Sequence, residues 1–433
     1  MTNLSKNIVY FLILLIPVSL VVGPAVADIT ISLAGFFFLV YTIINRDFEY
    51  YKNKYFIIFI FLNLYFIFLS LISENIYLSL ESSLFYFRFG FLVLAIYFIL
   101  NEQSNLIYFF LFVCLITTFV ISIDAFIQLF YGENLIKIPA RFEDGYIYNK
   151  LDENFIGRIS GAFGSELILG SFLSRLMPLI LGLILFVYFD NKKIKNLIIP
   201  IFIILMGITI FISGERTAFA MFLLSIFLLL IFLDKIRLQV LLSGFLILLM
   251  ILLLVTFDKN ARHRMIDYTL KQISQNNIDS DLNNLNFFTI QHEVIYKTSI
   301  KIYLDNKIFG IGPKMFREIC KKEKYHTYTS LDGSINGCQS HPHNTYIQIL
   351  TETGLLGFLI ILFIFIYLMI NLFRNTIYKS QSDNFRCLEI CALITLIVNF
   401  WPLMPTGNFF NNWLSILYYL PVGFFLYAQK HNH

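Results

Sequence analysis

Two histidines flank a proline in His341-Pro342-His343, and Asn344, Thr345, Gln348, Thr351 and Glu352 follow. Imidazole ordinarily titrates near 6.5, so at neutral pH it is mostly uncharged and able to take a proton from a weak acid such as a hydroxyl. Pro342 suits the first turn of a helix, where its missing N–H is not needed. A helix is therefore expected to begin there, with His343 at its outer edge. At about 100° per residue, the five polar residues share a stripe about 120° wide. Inside an apolar helix such a stripe must face protein or a wet cavity, because lipid cannot satisfy it. His343 falls on the other side, above Gly354 and Gly357, where a shallow groove is expected to receive a neighbouring helix or a lipid tail. The plain alternative is that His341 and His343 only anchor the helix at a membrane interface. Metal binding is not expected, since no Cys or carboxylate stands near them at usual ligand spacing.

Guanidinium groups are the second theme. Ser213-Gly214-Glu215-Arg216-Thr217 is a very short turn between two apolar runs. An Arg there can simply snorkel, but its fork also grips two phosphate oxygens at once. Arg158 lies in Gly157-Arg158-Ile159-Ser160-Gly161-Ala162-Phe163-Gly164, where closely spaced glycines suit either a ligand loop or an ordinary one. Arg88, Asp124 and Arg175 fall within apolar runs, and charges so placed mark a site or a buried pair. The pairing expected on structural grounds is Arg88 with Asp124. Gly310-Ile311-Gly312-Pro313-Lys314 lacks the spacing and the following Ser or Thr of a nucleotide-binding loop.

The elements that hold these groups are membrane spans. Of the 433 residues, 58% are hydrophobic and 14% charged, against about 25% charged in soluble domains. Apolar runs long enough to cross a bilayer recur about 12 times. Their centres lie near Leu15, Phe36, Leu64, Val93, Thr117, Pro178, Ile204, Ser225, Ile247, Phe363, Ile394 and Leu417. The short loops 45–54, 190–195, 234–237 and 371–386 each carry two or three Lys or Arg, while 73–82 and 402–412 carry none. That bias predicts both termini in the cytoplasm. Lys6, an apolar stretch and Ala25-Val26-Ala27 imitate a cleavable signal, but loss of the first span would upset the charge pattern, so it is expected to stay.

The chain 1–433 thus reads as one all-α membrane domain with a long external loop, 258–342, and a smaller one, 131–164. Within the long loop, 274–286 is rich in Asn, Asp and Ser and reads as flexible. The stretch 291–304 has helical apolar spacing at Val294, Ile295, Thr298 and Ile302. Cys114, Cys387 and Cys391 fall in spans and are expected to pack as apolar groups. Cys320 and Cys338, both on the oxidising side, are expected to form a disulfide.

In combination these segments resemble the O-antigen ligase and polymerase family. His343-Asn344, then Gly354, then Gly357 is similar to that family's His-Asn…Gly…Gly signature. Lys307-Ile308-Phe309-Gly310-Ile311-Gly312-Pro313 resembles its lead into the histidine segment, with Lys307 where proline is usual. Arg158–Gly164 resembles an R-hydrophobic-S-G-x-F-G segment, and Ser213–Thr217 an S-G-S-R-T turn in which Glu215 replaces a small residue. The resemblance implies a multispan glycosyltransferase fold and a polyprenyl-diphosphate-linked glycan donor. It also implies a sugar hydroxyl as acceptor, on lipid A–core or on a growing glycan, at the outer face of the bacterial inner membrane. His343 would be the base, and Arg216 and Arg158 the ligands of the donor diphosphate. Asn344, His341, Lys314, Arg317, Arg88 and Gln348 become candidate substrate contacts. Metal, nucleotide and other cofactors are not expected, and the partners expected are membrane lipid and glycan rather than nucleic acid. Ligase is the expected activity, with polymerase, protein glycosylation and non-enzymatic transport of lipid or polysaccharide as alternatives. One departure stands out: the turn 404–412 has no acid, only Asn408, Asn411 and Asn412.

Overall fold

A computed structural model of the chain describes residues 2–139, 158–257, 262–267, 269–270, 288–327, 336–377 and 383–432, and no β-strand occurs among them. The helices that matter are α1 (Thr2–Val22), α2 (Pro24–Asn45), α3 (Lys54–Leu71), α4 (Ile76–Ser83), α5 (Phe87–Glu102), α6 (Leu106–Tyr131) and α7 (Leu169–Val187). They continue with α8 (Lys192–Ile212), α9 (Arg216–Phe232), α10 (Arg237–Phe257), α11 (Ile290–Asp305), α12 (Thr345–Ile377), α13 (Asn384–Asn399) and α14 (Asn412–His431).

Each expected span centre falls inside a helix. Among the described residues, nine helical stretches are long and apolar enough to cross a membrane. The remaining three centres lie in α9, α13 and α14. The first is apolar but only 17 residues long, the second is 16 residues long and carries polar groups shielded by neighbouring helices, and the third carries Lys430 and His431 in its last turn. In α13 every residue from Arg386 to Asn399 is buried, and Arg386 and Glu389 pair at 3.2 Å. A helix enclosed by protein can keep such pairs, whereas lipid would not satisfy them.

Two spans of similar composition show where protein ends and lipid begins. From Leu169 to Phe186, α7 is buried at every position but Ser171, packed by α6, α8, α9 and α13. On α10 only Val240, Ser243 and Ile247 are buried, so the rest of that helix offers hydrocarbon to lipid. The two chain ends meet at one end of the bundle, where Lys6 pairs with Glu102 at 2.8 Å and Lys430 donates to Asn101 at 3.0 Å.

The opposite end carries the long loop. Its described part is organised by α11, which buries Val294, Ile295, Thr298 and Ile302 as the apolar spacing predicts. A small core of its own joins Ile295, Ile302, Ile311, Met315, Phe316, Ile319, Cys320 and Tyr325. Cys320 and Cys338 are disulfide-bonded across it, with Cα atoms 5.1 Å apart, while Cys114, Cys387 and Cys391 are free and buried in the bundle. Lys314 reaches Glu81 at 2.6 Å and Lys322 reaches Glu74, which fastens the loop to the α3–α4 hairpin. The stretch 274–286, read above as flexible, and most of the loop 131–164 lie outside the described residues.

Candidate active site

The helix carrying the His-Asn segment starts later than the proline suggests. Asn344 is its cap: the amide oxygen accepts from Tyr346 N at 2.9 Å and Ile347 N at 3.1 Å, and α12 begins at Thr345. Pro342 is therefore not in a first turn, because His343 between them has φ +56°. A non-glycine residue in the left-handed region is strained and persists only where surrounding contacts hold it. Here the His343 carbonyl accepts from Thr406 N at 2.9 Å, and Asn344 Nδ2 donates to Pro402 O at 2.8 Å. The turn between α13 and α14 thus holds the histidine from outside.

Among the described residues, the space beneath it is taken by protein, including the neighbouring helix α3, rather than left as a lipid groove. Gly354 has φ +69° and ψ −172°, which breaks α12. Leu355 N then turns to Lys307 O at 2.8 Å, and the freed carbonyls of Thr351 and Glu352 accept from Ile311 N at 3.2 Å and Gly312 N at 2.8 Å. A Cβ on Gly310 would sit 2.5 Å from Gly354 N, and one on Gly354 would collide with Ile308 O. The two glycine motifs are one joint, in which each half needs the other to lack a side chain. The space at Gly357 is filled by Thr353 and Tyr65.

The polar stripe faces protein. Gln348 donates to Glu352 at 2.9 Å and to Asn408 at 2.8 Å, and accepts from Phe409 N at 2.9 Å. Glu352 accepts from Phe316 N at 3.1 Å, and Thr345 shares a hydrogen bond with Thr406 at 2.9 Å. Asn344 and Gln348, both candidate substrate contacts, are therefore fully engaged inside the fold.

Three imidazoles gather on the outer side. The rings of His341 and His343 lie 4.0 Å apart, and that of His292, on α11, lies 5.8 Å from His343, edge to face. His341 Nδ1 is 2.9 Å from Ser340 Oγ, and His292 Nδ1 is 2.7 Å from Thr289 Oγ1. Burial lowers His343 below the ordinary histidine value. Burial, then the neighbouring His343 and Arg317, push His341 down to about 3 against an opposing pull from the Thr406 backbone. Burial, then His343 and Arg216, push His292 down to about 4. All three are neutral bases at pH 7.

The guanidinium corner is built around the carboxylate that the sequence marked as a departure. Glu215 accepts from Gly170 N at 2.7 Å and Ser171 N at 3.3 Å, at the start of α7, where N–H groups point outward without helical partners. Gly170 lets the turn come this close, since a Cβ there would lie 2.5 Å from Ser213 Oγ. Arg158 lies 3.9 Å from Glu215 and donates to Leu167 O at 3.1 Å. Burial raises Glu215 to about 7, although Arg158 and the two N–H groups pull it down. Buried Arg175 donates to Ser171 Oγ at 3.2 Å and Asn399 Oδ1 at 3.0 Å. Arg216 is the first residue of α9 and close enough to His292 to act on it electrostatically.

Arg88 and Asp124 do not pair with each other. Arg88 binds Asp28 at 2.8 Å, and Asp28 also accepts from Asn412 at 3.2 Å. Asp124 instead accepts from Leu135 N at 2.8 Å and Asn134 Nδ2 at 3.4 Å, tying down the chain that leaves α6. Lys314 serves the hairpin contact with Glu81. Among the described residues, no three His, Cys, Asp or Glu side chains are arranged to hold a metal ion.

Residues 201–362 of the 433 match the family model of the O-antigen ligase. That stretch is similar to an O-antigen ligase domain. No curated protein matches it. The matched segment takes in the Arg216 turn, α11, the disulfide-bonded loop, His343 and both glycines of the joint, while Arg158 lies upstream of it. Two features of the candidate site are additional to those read from the sequence. His292 had a visible signal, because Thr289 caps α11 and His292 sits one turn before Tyr296 on that helix. The capping of α7 by Glu215 had none, since it depends on a contact between distant turns.

Proposed function

We propose that the protein is an O-antigen ligase, transferring glycan from a polyprenyl-diphosphate donor to a sugar hydroxyl of lipid A–core at the outer face of the inner membrane. Both termini are then cytoplasmic, in accord with the loop charge bias and with chain ends that meet at the pole opposite His343. The observation that carries the reading is His292, which touches the His343 ring on one side and feels Arg216 on the other. Base and guanidinium therefore share His292 as a neighbour, one through ring contact and the other through its field.

In this reading His343 accepts the proton of the acceptor hydroxyl, whose oxygen attacks the anomeric carbon of the donor sugar. The bond from that carbon to the diphosphate oxygen breaks, and the polyprenyl diphosphate leaves with the electron pair. Arg216 and Arg158 stabilise the growing negative charge, as fixed guanidinium groups can. Attack opposite the leaving group inverts the anomeric centre. Arg158 has a resident competitor, Glu215, so the incoming diphosphate must share that guanidinium or displace the carboxylate. The asymmetry of the site supports transfer over transport, since the polar groups collect at one membrane face.

The test is reconstitution of purified protein with a defined lipid-linked glycan and lipid A–core, with chelator present. A single attachment to the core is the expected product. A ladder of lengthened lipid-linked glycan identifies a polymerase, no new bond identifies a transporter, and loss of turnover on adding chelator removes the metal-independent mechanism.

A further inference from the structure

We propose that His292 and Tyr296 on α11 form the acceptor subsite, holding the sugar whose hydroxyl meets His343; the inference rests on the reading of His343 as the base. Both side chains project from one face of α11, one helical turn apart, with ring centroids 6.0 Å apart. The adjoining stripe, Ile295 and Ile302, sits in the small loop core, against which Tyr296 also packs, and Thr351 donates to Ser299 O at 3.3 Å. The pair is thus presented by a rigid helix.

Three observations point to a polyhydroxyl ligand. First, the hydroxyl of Tyr296 is shielded from solvent and has no hydrogen-bond partner among the described residues, and the same is true of Arg317 Nε. Buried polar groups are nearly always partnered, and a sugar bound there can supply the missing partner. Second, His292 and His341 are held neutral. A neutral imidazole donates from one nitrogen and accepts at the other, which matches hydroxyl groups, themselves both donor and acceptor. Third, Phe288 packs edge-on against Tyr296 with centroids 5.2 Å apart, which adds apolar ring surface for the C–H face of a pyranose.

Position separates this subsite from that of the donor. Arg216 and Arg158 lie with the α8–α9 turn and the start of α7, whereas His292 and Tyr296 lie on the loop helix, beside His343.

The experiment uses the full-length chain in lipid nanodiscs, with His292→Ala and Tyr296→Phe. For each variant, initial rates are taken while lipid-linked oligosaccharide and lipid A–core are varied separately. Each variant should raise the acceptor KM by about 3- to 10-fold, the scale of one lost neutral hydrogen bond, with donor KM and thermal midpoint unchanged. A rise in donor KM alone, or no change in either, overturns the proposal. In a second arm, binding of fluorescent core oligosaccharide, freed of lipid A, is measured on the His343→Ala background. Binding should persist in His343→Ala and weaken when His292→Ala is added; equal binding by both overturns the proposal. Full transfer by His343→Ala would instead remove the base assignment while leaving this binding comparison interpretable.

Discussion

The two polar corners of the site are built on opposite principles. Around Glu215, charges answer one another: the carboxylate caps α7, faces Arg158, and lies within the field of buried Arg175. Around His343, burial has removed charge without supplying every partner, leaving neutral imidazoles and a Tyr296 hydroxyl with none among the described residues. A buried ion cluster is poised by its own members and responds to a new charge by exchanging partners. A buried neutral cluster instead receives hydroxyls without having to give up a charge partner. The difference accords with the proposed division, diphosphate at the first corner and sugar at the second.

The strongest way to break that division is to remove the base. His343→Ala should lower transfer by about 10²- to 10⁴-fold, the range for a missing general base, while His341→Ala costs less. Rates in membranes matched for protein level, with chelator added, decide this. Transfer at the wild-type rate by His343→Ala would move the chemistry elsewhere.

Next in size is the brace behind the imidazoles. Cys320 and Cys338 are separated by 18 positions, and closing such a loop contributes about 3 kcal/mol in the chain-entropy model. Replacing both by Ser should lower the unfolding temperature of the loop as followed by limited proteolysis. Donor binding should survive, because Glu215 is held by the start of α7 and Arg158 by the Leu167 carbonyl. Equal losses at both corners would show that they are one cooperative unit.

The guanidinium corner is sharpened by Arg216→Lys. Charge is kept but the two-pronged grip is lost, so donor KM should rise by about 10- to 100-fold, the value of a charge-assisted hydrogen bond. An unchanged donor KM would show that a point charge suffices.

The smallest effect is one of pH. The folded value of Glu215 is raised to about 7, above its ordinary value, so its contribution to stability is present at low pH and is lost as pH rises through about 7. The thermal midpoint should therefore fall between pH 6 and pH 8 in the wild type, and less so in Glu215→Gln. Parallel profiles would mean that Glu215 does not titrate there.

Much of this architecture was legible because the bilayer demands long apolar runs, and the external helix because Val294, Ile295, Thr298 and Ile302 repeat at its period. His343, Arg158 and Arg216 were legible as residue types in unusual places. Their partners were not. Arg88 could be matched to Asp124 by depth alone, yet Asp28 holds it, and which of two acids lies near is a matter of helix packing. Pro342 suggested a helix start, and contacts from Pro402 and Thr406, some sixty residues later, moved it to Thr345. Gly354 read as absent side-chain volume, whereas its backbone angle and the approach of Gly310 define its role.

Those late contacts bear on how the protein is made. His343 leaves the ribosome well before the residues that fix its strained backbone, since Thr406 and Pro402 follow α13. On the proposed reading, the base is present but unsupported during synthesis until the 402–412 turn reaches the outer face. A nascent chain halted after α13 should insert its earlier spans normally and still lack an ordered catalytic histidine. Activity would then appear only with the final helical hairpin, and no partly translocated chain could attack lipid-linked glycan.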